Sequence, residues 1–444
     1  MKFNTSPISG TQELLPAEQS VFDRLKTQIA NTYKRYGFLN IETPIIERTE
    51  ILLAKAGGDT EKQIYFLTKT AETSKTAETN KTAETKDLPD QALRFDHTVP
   101  LARYVVEHNQ SLSFPFHASQ INRNYRGERP QRGRFRELYQ CDIDVIGRDH
   151  LPLAYDAKVI ACIHDALQTF NLPPLTIRIS NRKILASFLE TLNLSEKLPE
   201  ISSIIDHAEK VSPEKTQHAL ESLTLSPAQV EQITTFMHIK GAYETVEQNL
   251  KNLLNDQFEN LKTGLSELKT VFDLLNKKPN ISNIEIDFMI IRGLDYYTGT
   301  VFETFLNDHR AIGSIASGGR YDNLASNFSS QKFPGVGGSI GLTRLFFVLN
   351  DEKLLNTEAT FPIDYVLLPL SENEYATALL LADKLRASNH SVDIDFTTKK
   401  LGDRFNRAAK ISQNAIVIGE SEASSHSFEI KNLQTGTTTP LILD

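Results

Sequence analysis

The residues best suited to chemistry lie in one run, NRNYRGERPQRGRFRELYQCDIDVIG, from Asn122 to Gly147. Its first half is rich in arginine: Arg123, Arg126, Arg129, Arg132, Arg134 and Arg136. Because a planar guanidinium donates two parallel charge-assisted hydrogen bonds, such a cluster is typical of a site that binds phosphate or carboxylate. The turn-forming residues Pro130 and Gly133 predict two strands joined by a loop.

The second predicted strand carries carboxylates on one face. Side chains alternate between the two faces of a strand, so Asp142 and Asp144 share a face with Gln140. This face, followed by guanidinium groups in the loop, could hold a cation beside a phosphate. The alternative is a basic surface hairpin, which leaves two carboxylates on an otherwise apolar strand unexplained.

The stretch YRGERPQRGRFRELYQ at 125–140 resembles the second signature motif of class II aminoacyl-tRNA synthetases, and QCDIDVIG resembles the histidyl-tRNA synthetase family in particular. The helix predicted from Val21 to Tyr36, with the strand predicted from Phe38 to Pro44, resembles the first class motif. That motif builds the dimer interface in the family, so the resemblance implies a homodimer. Alone, a helix followed by an edge strand is a weak signal.

Four more stretches resemble the family in the expected order. RFDHTVP at 94–100 is similar to its histidine-site segment, and SGGRYD at 317–322 to a second tyrosine motif. RGLDYYTG at 292–299 is the most specific, since it resembles a motif peculiar to this family. GVGGSIGLTR at 335–344 resembles the third class motif, with Thr343 where the family usually has glutamate. We expect Thr343 not to touch ATP.

The resemblance implies that ATP and L-histidine form histidyl-adenylate, and that the histidyl group then passes to the 3′ end of tRNA-His. It assigns the catalytic role to Arg126 and Arg292. The implied histidine-binding residues are Asp96, His97, Thr98, Arg126, Gln140, Asp144, Arg292, Tyr296, Tyr297 and Tyr321. The implied ATP-binding residues are Arg126, Glu128, Phe135 and Arg344, and the residues facing the tRNA acceptor end are Arg129, Gln131 and Arg132. The cofactors are ATP and Mg²⁺, with the metal held mainly by the ATP phosphates rather than by protein ligands.

The resemblance also implies individual roles. Arg126 bridges the histidine carboxylate and the α-phosphate, and Arg292 approaches the α-phosphate from the opposite side. Asp96, Thr98 and Gln140 hold the α-ammonium group, and Asp144 with Tyr297 bonds the imidazole. Glu128 approaches the adenine amino group, Phe135 stacks on the base, and Arg344 meets the γ-phosphate.

Length and composition indicate the cellular compartment and the number of domains. The chain has 444 residues, a formal net charge of −8 and a pI near 5.8. This charge argues against a general nucleic-acid coat but permits a local basic groove. Cys141 and Cys162 occur in dissimilar contexts, which predicts buried thiols and a reducing compartment. No apolar run reaches membrane-spanning length, so we expect a soluble cytoplasmic protein of roughly two to four domains.

The predicted fold class is α/β (α+β): an antiparallel-sheet class II catalytic core with a helical insertion, and a small C-terminal α/β anticodon-binding domain. The predicted boundaries are 1–180 and 281–350 for the two parts of the core, 181–280 for the insertion, 351–362 for a linker and 363–444 for the last domain. Ser-Pro helix starts at 212–213 and 226–227, and an amphipathic seam from Leu254 to Leu275, support the insertion. Alternating strand and helix patterns after Ile363 support the last domain.

Two polar segments could be either solvent-exposed surface or RNA contacts. Residues 69–86 repeat KTAET with matched lysines and glutamates, which predicts a solvated loop or weak helix rather than an RNA contact. A basic cluster follows in the last domain, at Lys399, Lys400, Arg404, Arg407 and Lys410. Such a cluster is usually a solvated face, but the resemblance makes it a candidate RNA contact.

Two other functions remain open at this stage. A regulatory or sensor paralogue that binds histidine or uncharged tRNA usually lacks the RGLDYY element or the C-terminal domain, and this chain has both. A class II synthetase for another amino acid is disfavoured by the paired tyrosines and the QCDID strand.

Overall fold

The computed structural model describes residues 3–54, 61–68, 89–170, 172–291, 296–355 and 361–442, with the side chains of Asp256 and Ala311 left out. The KTAET repeat and Arg292 lie outside the described residues. The chain divides into a larger unit, residues 1–12 with 26–351, and a smaller unit, residues 13–25 with 352–444. No helix in the described ranges is long and apolar enough to cross a membrane.

Residues 1–351 contain twelve described strands and eleven described helices. The strands are β1 (Leu39–Asn40), β2 (Ile46–Arg48), β3 (Tyr65–Leu67), β4 (Gln91–Leu93), β5 (Phe116–Tyr125), β6 (Glu137–Ile146), β7 (Leu175–Asn181), β8 (Lys240–Gly241), β9 (Ile284–Asp287), β10 (Thr300–Leu306), β11 (Ala316–Tyr321) and β12 (Gly335–Ile340). The helices are α1 (Pro16–Arg35), α2 (Thr49–Leu53), α3 (Thr98–His108), α4 (Ala154–Gln168), α5 (Arg182–Thr191), α6 (Leu198–Ala208), α7 (Pro213–Glu221), α8 (Pro227–Met237), α9 (Tyr243–Leu254), α10 (Lys262–Asn276) and α11 (Leu342–Asp351).

A nine-stranded sheet forms the centre of the larger unit, in the order β1-β5-β6-β12-β11-β10-β7-β9-β8. The central pairs, from β5 to β7, are all antiparallel, which confirms the predicted antiparallel core. The arginine-rich run forms the hairpin β5–β6, in register from Phe116↔Ile146 to Tyr125↔Glu137. Strands β2, β4 and β3 form a separate small sheet.

Helix α1 confirms the periodicity seen in the sequence. Its predicted core residues are buried: Val21, Phe22, Leu25, Ile29 and Tyr33. The Tyr33 hydroxyl donates to the carbonyl of Cys141 at 2.8 Å, which ties the end of α1 to β6. Both cysteines are buried and free, as expected. The helix is followed by Gly37, whose φ of 83° suits a residue without a side chain.

Helices α5–α10 occupy most of the predicted insertion. Ser226 accepts from the backbone of Gln229 and Gln229 bonds back to it, a capping box that starts α8 where the sequence predicted a start. The apolar seam from Leu254 to Leu275 predicts one helix, but the structure does not contain one continuous α-helix there. Helix α9 ends at Leu254, Asn255 has a φ of 48°, and α10 begins only at Lys262. Left-handed backbone at Asn255 therefore ends the helix, although the apolar spacing continues.

The smaller unit contains the predicted mixed sheet. Its strands and helices after residue 352 are β13 (Tyr365–Pro369), α12 (Tyr375–Ala387), β14 (Val392–Ile394), α13 (Leu401–Ala408), β15 (Asn414–Ile418), α14 (Glu420–Ser425), β16 (Glu429–Asn432) and β17 (Thr438–Pro440). The sheet order is β14-β13-β15-β16-β17, parallel over the first three strands and antiparallel after them. Within the basic cluster, Arg404 is buried and donates to the carbonyl of Pro369 at 2.8 Å, so it holds the fold rather than facing solvent.

Candidate active site

A cavity of about 900 Å³ opens over β6, β11 and β12. It is lined by most of the predicted site residues: Asp96, Thr98, Arg126, Glu128, Gln140, Asp144, Tyr296, Tyr297, Tyr321 and Arg344. A smaller pocket of about 140 Å³ adjoins it and adds Phe135. Arg126, Glu128, Gln140 and Arg344 line both spaces. Predicted site residues as distant in the sequence as Asp96 and Arg344 therefore meet around one opening.

One end of the cavity is acidic. Asp96, Asp142 and Asp144 are buried and line it together. Burial raises the pKa of Asp96 to about 7 and that of Asp144 to about 8, and the neighbouring carboxylates add to the rise at Asp144. Hydrogen bonds oppose this: Val99 N donates to Asp96 Oδ1 at 3.1 Å, and the Tyr321 hydroxyl donates to Asp144 Oδ1 at 2.7 Å. A ligand with positive charge or N–H donors would relieve the cost of these buried carboxylates.

Three tyrosines form the wall beside the acids. The ring centroids of Tyr296 lie 4.8 Å from Tyr297 and 5.9 Å from Tyr321, both in edge-to-face geometry. Burial raises the pKa of all three hydroxyls, so they remain protonated donors at neutral pH. Tyr296 and Tyr321 also pack in an apolar cluster with Phe95 and Val99, which fixes the rings. The wall therefore offers flat contact area with hydroxyl groups at fixed positions.

Glycines in β12 leave room for the acids. Gly337 pairs with Asp144 across the β6–β12 ladder. A Cβ at Gly337 would lie 2.0 Å from Asp144 Oδ1, so any side chain there would displace the carboxylate. The glycine-rich pattern of this strand thus has a steric cause at the site.

Arg126 lies where the acidic end meets the smaller pocket. Its Nε donates to the carbonyl of Phe95 at 3.1 Å, and its Nη2 donates to Gln140 Oε1 at 3.1 Å. The same Gln140 oxygen accepts from Asn124 Nδ2 at 2.9 Å. Both lone pairs of Gln140 Oε1 are thus engaged within the protein. This oxygen supports Arg126 and is not available to the α-ammonium group, the role that the sequence resemblance implied for Gln140.

Arg344 and Phe135 border the other end of the site. Arg344 donates from Nε to the carbonyl of Gly133 and from Nη1 to the carbonyl of Ser314, each at 3.0 Å. Phe135 contacts Phe347 edge-to-face, with ring centroids 5.4 Å apart. Helix α11 thus holds the Arg344 guanidinium and the Phe135 ring beside the loop between β5 and β6.

Thr343 has a structural role that its position in the motif does not reveal. Strand β12 ends at Ile340, level with Cys141, so β6 extends past its partner. The Thr343 hydroxyl accepts a hydrogen bond from the backbone N–H of Tyr139 at 2.7 Å, in the place where a strand carbonyl would continue the ladder. This bond joins the start of α11 to β6 and supports the neighbouring Arg344.

The remaining predicted residues have other positions. His97 is fully buried and is not among the residues that line the cavity; its Nδ1 lies 2.9 Å from Asp142 Oδ2. Arg129, Gln131 and Arg132 lie in the loop outside both spaces, and Arg132 pairs with Asp351. That pair is exposed, so it contributes no more than about 1 kcal/mol and leaves Arg132 accessible.

Sequence reasoning missed several lining residues. Strand alternation predicts the face on which Asp142 lies, but no motif distinguishes it as a lining residue. Ser339 lines the cavity opposite Asp142 in the ladder, a pairing that only the strand register reveals. Arg182 and the face of α6 that includes Ser202 and Asp206 form another wall, and no motif signals them.

Family models match almost the whole chain. One described as Histidyl-tRNA synthetase matches residues 10–345, and one described as Anticodon binding domain matches residues 364–443. The chain belongs to the histidyl-tRNA synthetase family. The resemblance drawn from the sequence motifs is therefore confirmed, and so is the predicted fold class.

Individual family members are similar over nearly their full length. The histidine–tRNA ligase of Clostridium tetani (strain Massachusetts / E88) is 41% identical over 438 residues, which cover 97% of this chain and 94% of that protein. The ligase of Stenotrophomonas maltophilia (strain K279a) is 41% identical, covering 96% of this chain and 92% of that protein. The crystal structure of histidyl-tRNA synthetase from Nostoc sp. PCC 7120 superposes with a TM-score of 0.84 at 38% identity, covering 99% of this chain and 97% of that one.

A more distant structure shares the fold alone. It is the ATP phosphoribosyltransferase regulatory subunit/histidyl-tRNA synthetase from Bacillus halodurans C, with a TM-score of 0.75 at 20% identity, covering 94% of this chain and 99% of that one. The family fold is therefore not sufficient to define activity, and the side chains of the site have to decide it.

Proposed function

We propose that this family member is a histidine–tRNA ligase, which activates L-histidine with ATP and transfers the histidyl group to tRNA-His. The observation that carries the proposal is the position of Arg126, between a cavity end with two protonatable acids and a pocket lined by Arg344 and Phe135. One guanidinium there can contact the carboxylate of an amino acid and the phosphate of a nucleotide together.

The reaction needs no protein nucleophile. A carboxylate oxygen of histidine attacks the α-phosphorus of ATP, the bond to the β-phosphate oxygen breaks, and pyrophosphate leaves with its electron pair. The terminal ribose hydroxyl of the tRNA then attacks the histidyl carbonyl, loses its proton, and AMP leaves. Both reactants of the first step are anions, so the protein must position them and neutralise charge on the phosphoryl oxygens. Arg126 and, by sequence resemblance, Arg292 have this role.

The amino-acid end of the site selects histidine through its acids. Asp96 and Thr98 receive the α-ammonium group, and Gln140 holds Arg126 against the carboxylate. Asp144 accepts an imidazole N–H, Tyr297 bonds the other side of the ring, and Tyr296 and Tyr321 line the pocket. A ligand without the ring N–H would leave Asp144 buried with the Tyr321 hydroxyl but without a donor from the ligand, which is how a polar pocket rejects an analogue.

The nucleotide end binds ATP through charge and stacking. Glu128 accepts from the adenine amino group, Phe135 stacks on the base, and Arg344 meets the γ-phosphate. Among the described residues, no group of three or more His, Cys, Asp or Glu side chains is arranged to hold a metal ion. We infer that Mg²⁺ enters on the phosphates of ATP, as this ion commonly does, where it would neutralise phosphate charge.

The proposal extends to partners and location. Arg129, Gln131 and Arg132 face the acceptor end of tRNA-His, and the C-terminal domain contacts the anticodon. Family resemblance at α1 and β1 supports a homodimer, and the synthetase activity supports a cytoplasmic location. A regulatory protein on the same fold is the alternative, and activity measurements decide between the two.

An amino-acid panel tests the proposal. Purified full-length chain is assayed for ATP–pyrophosphate exchange with each of the twenty amino acids supplied separately. We expect exchange with histidine alone, and then stable charging of tRNA-His transcript. Exchange with a different amino acid would identify another class II synthetase, and histidine binding without exchange would identify a regulatory protein.

Histidine affinity is expected to increase with pH. The ammonium and imidazole groups of the ligand favour the ionised forms of Asp96 and Asp144, whose pKa values near 7 and 8 are raised in the free protein. Binding therefore releases protons, and the affinity rises with pH until the higher of these pKa values is passed. The limit is about tenfold per pH unit for each proton released.

Calorimetric titration between pH 7 and 8 measures this effect, because free imidazole, with a pKa of about 6.5, is already mostly neutral there. Titration in two buffers of different ionisation enthalpy counts the released protons directly. Asp96→Asn should flatten the dependence of histidine affinity on pH near the raised pKa of Asp96, about 7. A dissociation constant that stays constant over this range, with no proton release, would contradict the assignment.

A further inference from the structure

Behind Arg126 runs a chain of hydrogen bonds that the proposed function does not itself require. Arg126 Nη2 donates to Gln140 Oε1 at 3.1 Å, and Gln140 Nε2 donates to Ser339 Oγ at 2.9 Å. The Ser339 hydroxyl donates to Asp142 Oδ1, and Asp142 Oδ2 lies 2.9 Å from His97 Nδ1. These five residues, from His97 to Arg126, are called the relay below.

The chemistry of Arg126 and of ionised Asp142 fixes the direction of the hydrogen bonds between them. A guanidinium only donates hydrogen bonds, and a carboxylate only accepts them. The Ser339 hydroxyl must therefore point its hydrogen at Asp142, which leaves its oxygen to accept from Gln140. Gln140 must in turn place its nitrogen towards Ser339 and its oxygen towards Arg126. Each of the three bonds between Arg126 and Asp142 therefore has one allowed donor and one allowed acceptor.

We propose that Asp142 and Ser339 are positioning residues, which fix the amide orientation of Gln140 and thereby hold the guanidinium of Arg126 in its reactive position. The proposal rests on the proposed function, because Arg126 is there the group that joins the two anions. A flipped Gln140 amide would present N–H groups to Arg126, and the two donors would repel each other.

Burial strengthens the end of the relay formed by His97 and Asp142, whereas Arg126, Gln140 and Ser339 are half-buried at the cavity wall. His97 is fully buried and Asp142 is 5% exposed, so water competes poorly for these bonds. The carbonyl of His97 accepts from Gln120 Nε2 at 3.3 Å, which holds the far end of the relay against β5. The β6–β12 register pairs Asp142 with Ser339 directly, so the backbone itself sets their separation.

Removal of one hydroxyl tests the relay. Ser339→Ala is made in the full chain, and histidine-dependent pyrophosphate exchange is measured at varied ATP and histidine. Because misplacement of a group that acts in the transition state can cost up to about 100-fold in rate, we expect kcat to fall about tenfold or more. The KM values for histidine and ATP change much less. Ser339→Thr retains the hydroxyl and should recover most of the lost kcat.

Matched variants separate the relay from general damage. Ser119→Ala removes a buried hydroxyl from β5, outside both spaces of the site, and should keep the wild-type kcat. Asp142→Asn replaces the acceptor and should lower kcat as Ser339→Ala does. If both act through one relay, the double variant Ser339→Ala with Asp142→Asn is no worse than the more affected single variant. Thermal unfolding of every variant checks that the fold is intact.

The possible outcomes are distinct. Wild-type kcat in folded Ser339→Ala overturns the relay, and so do losses that multiply in the double variant. A defect confined to the histidine KM also overturns it, since this would indicate direct contact of Ser339 with substrate. If Asp142→Asn fails to fold, Ser339→Ala and Ser339→Thr still decide. A wild-type chain without histidine-dependent exchange would refute the proposed function instead, and this result is distinct from unchanged kcat in Ser339→Ala.

Discussion

Arg126→Ala is expected to lower histidine-dependent pyrophosphate exchange about 100- to 1,000-fold, the cost typical of removing one donor aimed at developing charge. Arg126 is positioned by the carbonyl of Phe95 and by Gln140, at the junction of the acidic cavity and the smaller pocket. Without it, two anions must approach each other with their charge uncompensated on this side. The fall should appear mainly in kcat, because the compensation is needed most in the transition state.

Two control variants sharpen this measurement. Arg126→Lys keeps the charge but loses the planar fork, so it should recover little of the activity. Arg123→Ala removes a guanidinium of the same arginine-rich run. Arg123 pairs with Glu137 at 3.0 Å, outside both spaces of the site, so this variant should remain nearly as active as wild type. Near-normal exchange in folded Arg126→Ala would remove the basis of the proposed mechanism. Arg292 calls for the same test on the strength of its motif alone.

Asp144→Asn is expected to raise the KM for histidine far more than that for ATP. The variant is nearly isosteric, but it loses the negative charge and one of the two acceptor oxygens, and its amide nitrogen can present N–H to the imidazole N–H. Polar pockets of this kind discriminate by about 10⁴-fold at best, so a loss of about 100-fold or more in kcat/KM for histidine is the expected scale. Steady-state exchange with each substrate varied in turn measures the two constants separately.

Two further variants, Tyr321→Phe and Asp149→Asn, test the role of Asp144. Tyr321→Phe deletes the hydroxyl that donates to Asp144 at 2.7 Å, so it should give an intermediate rise in the histidine KM. Asp149 is exposed beyond the end of β6 and has a φ of 65°, which asparagine also tolerates, so Asp149→Asn should behave as wild type. Equal effects of Asp144→Asn on both substrates would contradict a role in recognition of the imidazole.

Much of the site could be predicted because its information is local in the sequence. Alternation along β6 placed Asp142 and Asp144 on one face, and helical spacing identified the buried side of α1. Motif order then implied which distant stretches meet. The relay could not be predicted, because it depends on which residue of β12 lies opposite Asp142, and register is set by the assembled sheet.

Other features that the sequence does not predict also depend on contacts in the folded structure. Arg404 belongs to a basic cluster in the sequence, yet its buried guanidinium donates a hydrogen bond to the carbonyl of Pro369, thirty-five positions away. The apolar seam after Leu254 continues through a stretch where the backbone leaves the helix at Asn255. His97 occupies a motif that lines the cavity, but the start of α3 turns it inward towards Asp142. Periodicity and motif membership describe residues one at a time, whereas these outcomes depend on their neighbours in space.

The glycines of β11 and β12 limit how this pocket can evolve. Gly318 lies opposite Gly338 and Gly319 opposite Gly337, and a Cβ at Gly318 would come within 2.1 Å of the Gly337 oxygen. At these paired glycines, two adjacent strands contribute bare main chain, with no side chains through which that part of the floor could be reshaped. A lineage that acquired a different amino-acid preference would have to vary the acids of β6 or the tyrosines instead.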